Sequence, residues 1–154
     1  MERWGADPNG LIVRGRGAGA TLALETLANT DLFAAATVYA PITDLTGLPA
    51  TASTAGHLRA VAADAASPRT TAWLDRIRRP VLMLHGERDT TVPVDQTTQL
   101  RDALRRHGIA QTCLTLPDEG HILSRAESIS RGPEKRAVLH VDVLGHRTAG
   151  HAER

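Results

Sequence analysis

The chain has 154 residues and a formal net charge of +1, with 18 basic and 17 acidic residues interspersed along it. That length supports one hydrophobic core and not two comfortable ones, and the balanced charge leaves no footprint for nucleic acid or an anionic membrane surface. Aromatic residues are scarce (Trp4, Phe33, Tyr39 and Trp73), so alanine and small aliphatics must fill the core, which suits helices lying close on a sheet. The single cysteine, Cys113, excludes an internal disulfide and suits a buried, inert thiol. No apolar run approaches the roughly 20 residues that span a bilayer, and residues 1–5 carry no secretory pattern. The expectation is a soluble, cytoplasmic protein.

Asp7-Pro8-Asn9-Gly10 is dense turn chemistry. Residues 11–13 (LIV) follow as a short apolar strand, then the glycine-rich Gly15-Arg16-Gly17-Ala18-Gly19 as a tight turn. Residues 20–29, with Leu22, Leu24 and Leu27 among good helix formers, predict a helix. Residues 34–40 (AAATVYA) predict a second buried strand, stopped by Pro41. Residues 42–72 are rich in Thr, Ala and Gly and admit one helix around 57–65.

Residues 81–84 (VLML) form a continuous apolar run suited to a strand buried on both faces, ended by Gly86-Glu87-Arg88-Asp89. Residues 94–107 predict an amphipathic helix, with Leu100, Ala103 and Leu104 inward, Arg101, Arg105 and Arg106 towards solvent, and Gly108 closing it. Residues 111–116 make a fourth strand. A helix is expected after His121, interrupted at Gly132-Pro133, and residues 138–144 alternate like a strand or an irregular extension. Four strands separated by helices imply an α/β fold with a small parallel sheet joined by right-handed crossovers. Its body is placed at residues 1–130, with a divergent tail at 131–154.

The sharp strand-to-helix turn called a nucleophile elbow reads G-x-S-x-G, its glycines letting the backbone crowd beneath an exposed serine. Here the frame reads Gly15-Arg16-Gly17-Ala18-Gly19, and the central position has no side chain. Asp89 follows the third strand and His121 the fourth. The order nucleophile position, acid, histidine is that of α/β-hydrolases, and each falls at the C-terminal end of a strand, where open α/β sheets build their sites. Taken singly, Asp89 reads equally well as a turn residue and His121 as a loop histidine.

Three segments carry a resemblance: DPNGLIVRGRGAG, RPVLMLHGERDTTVPVDQTTQLRDAL and LPDEGHILSRAESI. In this order and spacing they resemble the catalytic domain of prolyl oligopeptidase and acylaminoacyl-peptidase relatives, over roughly residues 4–130. The resemblance implies the C-terminal half of an α/β-hydrolase fold, with Asp89 as the orienting acid and His121 as the base. Gly17 then stands where the family has its serine, and the Ala18 N–H is one oxyanion donor. It implies hydrolysis of peptide or ester bonds without a cofactor by ancestry, and no nucleophilic catalysis in the present chain. The family's earlier strands, its second oxyanion donor and its gating propeller are expected to lack a counterpart in these 154 residues. Residues 11–13 are therefore expected to leave an apolar sheet edge that self-associates or pairs with a separately encoded N-terminal half, unless residues 138–144 fold back onto it.

A rival reading takes Gly15-x-Gly17-x-x-Ala20 as a dinucleotide-binding turn. It needs an acid at the end of the second strand, which instead ends Tyr39-Ala40-Pro41 with Asp44 arriving after the turn. It also leaves the Asp89 and His121 motifs unexplained. His140, His146 and His151 match no standard ligand spacing, so no metal is expected.

Overall fold

In the computed structural model, which describes residues 10–45, 47–49 and 73–122, strand and helix alternate. The elements are β1 (Ile12–Arg16), α1 (Ala18–Asn29), β2 (Ala35–Tyr39), β3 (Val81–Gly86), α2 (Val94–Arg106) and β4 (Gln111–Leu116), with a 3₁₀ turn at Leu74–Arg76. All four strands run parallel in the order β1-β2-β3-β4, the α/β arrangement that the sequence predicts. The helix expected around 57–65, the helix after His121, residues 138–144, the tail histidines and the whole of 131–154 lie outside the described residues.

Successive parallel strands need crossovers, and crossovers of one hand stepping in one direction put their helices on one face. The core follows from this. Ala20, Ala23, Leu24 and Leu27 of α1 and Leu100, Ala103 and Leu104 of α2 pack on Ala36, Val38, Val81 and Met83, with Trp73 and Ile77 filling in. Alanines on both the helix and the sheet side let α1 lie close, which is how an aromatic-poor chain keeps its interior dense. In β3 every residue is buried, because Leu82 and Leu84 on the opposite face are as enclosed as Val81 and Met83. Half-buried Cys113 packs against the core, and burial pushes its thiol pKa up, which keeps it inert.

Helix α2 ends in a Schellman motif. The Gly108 N–H donates to the Arg105 carbonyl at 3.1 Å and the Ile109 N–H to the Leu104 carbonyl at 3.0 Å, while Ile109 packs on the core. Arg105 and Arg106 are exposed as the pattern predicts, whereas Arg101 is half-buried.

The first strand departs from the sequence reading. It runs on to Arg16, and α1 starts already at Ala18, so Gly17 alone makes the turn. The Gly17 N–H still donates to the Tyr39 carbonyl at 2.9 Å, extending the ladder to the last residue before the helix. Among the described residues β1 pairs with β2 alone. Because Gly17 faces β2, the alternation of a strand turns the main-chain groups of Ile12, Arg14 and Arg16 to the open side. Beyond the half-buried apolar residues 11–13, the strand carries charge. Arg14 and Arg16 are exposed, with their guanidinium carbons 5.9 and 5.6 Å from the centre of the Tyr39 ring.

The glycine frame generates a contrast that urea denaturation resolves. A methyl at Gly15 would run into the Gly19 carbonyl and the Ala20 amide, backbone that cannot yield, whereas a methyl at Gly19 meets nothing within 4 Å. Gly15→Ala is expected to cost on the order of 3 kcal/mol. Gly19→Ala, inside the first turn of a helix, is expected to be neutral or to gain up to about 1 kcal/mol.

Candidate active site

The turn at Gly17 has φ 54° and ψ −122°, a conformation that side-chain-bearing residues rarely adopt. It is held from both sides. Its N–H is bound to β2, and its carbonyl accepts from the Ala20 and Thr21 N–H groups at 3.0 and 3.3 Å. The crowding of Gly15 against Gly19 and Ala20 closes the turn from below. Ala18, exposed, opens α1, and its N–H, at the first helical position, precedes the first intrahelical bonds.

Asp89 sits in the loop beyond β3 with its side chain fully buried. Its two oxygens do separate jobs. Oδ1 accepts the Thr91 and Val92 N–H groups, each at 2.8 Å, and so ties the turn. Oδ2 lies 2.8 Å from Nδ1 of His121 and 3.3 Å from Nε2 of His85. Asp89 thus ties its own turn with one oxygen and meets His121 and His85 with the other.

His85 was not singled out in the sequence. It is buried in β3, with Nε2 3.0 Å from the Val92 carbonyl and Nδ1 2.5 Å from the Thr97 hydroxyl. A carbonyl can only accept, so Nε2 carries the proton, and Nδ1 accepts from Thr97. The signal was legible: a histidine inside an apolar run is a buried polar group that must find partners.

Burial by itself raises the Asp89 pKa, but hydrogen bonds from His85, the Val92 N–H, His121 and the Thr91 N–H outweigh it and hold it at about 2. Asp89 is therefore a carboxylate at neutral pH.

His121 reaches it because two loops run in contact. The Glu87 N–H donates to the Leu116 carbonyl at 3.0 Å and the Arg88 N–H to the Glu119 carbonyl at 2.9 Å. Gly86 makes this approach feasible, since a methyl there would strike the Glu119 and Gly120 carbonyls. An ionised carboxylate only accepts, so a neutral His121 carries its proton on Nδ1 and keeps a lone pair on Nε2. That nitrogen faces the elbow: a Cβ built on Gly17 would lie 3.7 Å from both Nε2 and Cε1. The structure thus brings together Asp89, His121, Gly17 and Ala18 at the C-terminal ends of β1, β3 and β4.

Asp89 makes stability depend on pH in a definite direction. Its folded pKa lies below the ordinary 3.8, so its contribution of about 2 kcal/mol is fully present above pH ~4 and is lost as the pH falls towards 2. Asp89→Asn is expected to be less stable at neutral pH and to show a flatter acid limb than the parent between pH ~4 and ~2. His85→Leu removes one of the donors and leaves Thr97 and the Val92 carbonyl unpaired. It is expected to cost about 1–3 kcal/mol and to move that acid limb to higher pH. Urea unfolding across the pH series reads both.

Comparison with known proteins finds relatives in sequence and fold. Residues 2–140 match the profile of the prolyl oligopeptidase family. Over 49 residues, 32% of the chain, it is 39% identical to dipeptidyl-peptidase 5 of Porphyromonas endodontalis, a stretch that covers 7% of that protein. The fold superposes on a puromycin hydrolase with a TM-score of 0.76 and 28% identity, over 94% of this chain and 23% of that one. A puromycin-hydrolyzing peptidase of Mycobacterium tuberculosis gives a TM-score of 0.71 and 28% identity over 91% and 23%. The chain therefore spans less than a quarter of either solved relative. With a family profile matching across nearly its whole length and a sheet of the same architecture, the chain belongs to the prolyl oligopeptidase family.

Proposed function

We propose that this chain is a serine-hydrolase-type module, at residues 1–130 with a divergent tail beyond, that keeps the base and its orienting acid but cannot form an acyl-enzyme. One observation carries the reading: the position facing Nε2 of His121 is Gly17, which has no hydroxyl. The substrate class that fits the family is a peptide or ester. In a serine peptidase of another fold, removal of the triad serine costs on the order of 10⁶ in kcat. Glycine is also the comfortable residue here, because a side chain at this φ is strained by about 1–3 kcal/mol.

The dinucleotide turn at Gly15, Gly17 and Ala20 has less support. Strand β2 ends at Tyr39 beneath two arginines, and Asp44 beyond it has its N–H and carbonyl bonded to the Gln96 amide at 3.0 and 2.9 Å. A second reading, that the module works within an assembly, is favoured by the side of β1 that has no strand partner among the described residues. Among the described residues no helix is long and apolar enough to cross a membrane.

The purified chain is expected to show no stoichiometric labelling by a fluorophosphonate probe, which needs an activated hydroxyl. Labelling of any serine in intact-mass spectra overturns the reading. Gly17→Ser is expected to lose about 1–3 kcal/mol of stability and not to restore activity by itself, since the Ala18 N–H is the one oxyanion donor identified. Light scattering over a concentration series tests the assembly: a monodisperse monomer throughout defeats self-association.

A further inference from the structure

Apart from its chain neighbours Arg16 and Ala18, the His121 ring is the one group among the described residues within 4 Å of a Cβ built on Gly17. The missing hydroxymethyl group therefore leaves a slot bounded by the elbow backbone on one side and a basic nitrogen on the other. The base is oriented, because Nδ1 of His121 is fixed 2.8 Å from an Asp89 carboxylate that stays ionised far below neutral pH. The base is reachable, since the His121 side chain keeps 27% of its surface exposed, while Gly17 beneath it is buried. Beside it, the Ala18 N–H at the head of α1 has no intrahelical acceptor, which suits an oxygen that gains negative charge.

Resting on the proposed reading of the site, we infer that the slot takes a small hydroxylic nucleophile from solution, water or a short alcohol, and that His121 activates it against an activated ester. The alcohol oxygen bonds to the acyl carbon as its proton passes to Nε2 of His121. The acyl carbon then releases the phenolate, which takes that proton. Methanol and 4-nitrophenyl acetate give methyl acetate and 4-nitrophenol, with atoms and charge balanced and no covalent enzyme intermediate. The side-chain-free position is thus a binding site for the nucleophile that a serine would otherwise supply covalently.

The test is the rate of methyl acetate formation from 4-nitrophenyl acetate and methanol on the full chain. The parent is expected to exceed His121→Ala by at least tenfold, and Gly17→Ala, whose methyl fills the slot, to fall to the level of His121→Ala. Strain at this φ makes Gly17→Ala a variant that can fail to fold, so alcohol size gives an independent readout on the parent. Rates through a slot fall steeply from methanol to ethanol to 2-propanol, more steeply than for free imidazole at the same pH. A parent no faster than His121→Ala, or a size dependence matching free imidazole, overturns the inference. Fluorophosphonate labelling of the parent would instead overturn the reading beneath it, so the two failures are distinguishable.

Discussion

A carboxylate removed from water costs several kcal/mol unless donors replace its hydration. Asp89 meets that demand with two backbone N–H groups on one oxygen and two histidines around the other. The rest of the site depends on this one group. The backbone donors fold the loop after β3, His85 anchors the carboxylate to the buried strand and to Thr97 of α2, and His121 fixes the loop after β4. Removing any donor raises the cost of the charge and loosens a different element. Stability and site geometry are therefore the same set of hydrogen bonds.

The elbow has a similarly local cause. Gly15 admits the Gly19 carbonyl, Ala20 is fully buried, and the Gly17 N–H completes the ladder to Tyr39. None of these features uses a side chain at position 17. The turn that would present a serine is built by its neighbours, so its shape survives with glycine at its apex and is relieved of the strain a serine would bring. An elbow in the backbone is accordingly evidence of fold and ancestry, and the chemistry rests on what occupies the apex.

The sheet was legible because its signals were long or strong. The run at 81–84 suited a doubly buried strand, and the 3.6 period with a terminal glycine marked α2. The order of Gly17, Asp89 and His121 was legible as a motif, although their convergence depends on contacts that no period encodes. Gly86 against Glu119 and Gly120 is a backbone approach between loops more than 30 residues apart in sequence. The length of β1 was hidden because Gly15, which reads as a turn residue, is needed in the strand for close packing. Gln96 escaped notice for a related reason. It stands among polar neighbours in the first turn of α2, yet it is buried and its amide binds the backbone of Thr43 and Asp44, which ties the loop beyond β2 to α2.

The open side of β1 balances two physical tendencies. Among the described residues the outward main-chain groups of Ile12, Arg14 and Arg16 have no strand partner, which makes them a template for another strand, while exposed charge along such an edge resists indiscriminate pairing. The arginines are not loose, since both lie over the Tyr39 ring and Arg14 donates to its hydroxyl at 3.5 Å. Held against the ring, their positive charge lies along β1 and opposes the approach of a basic strand.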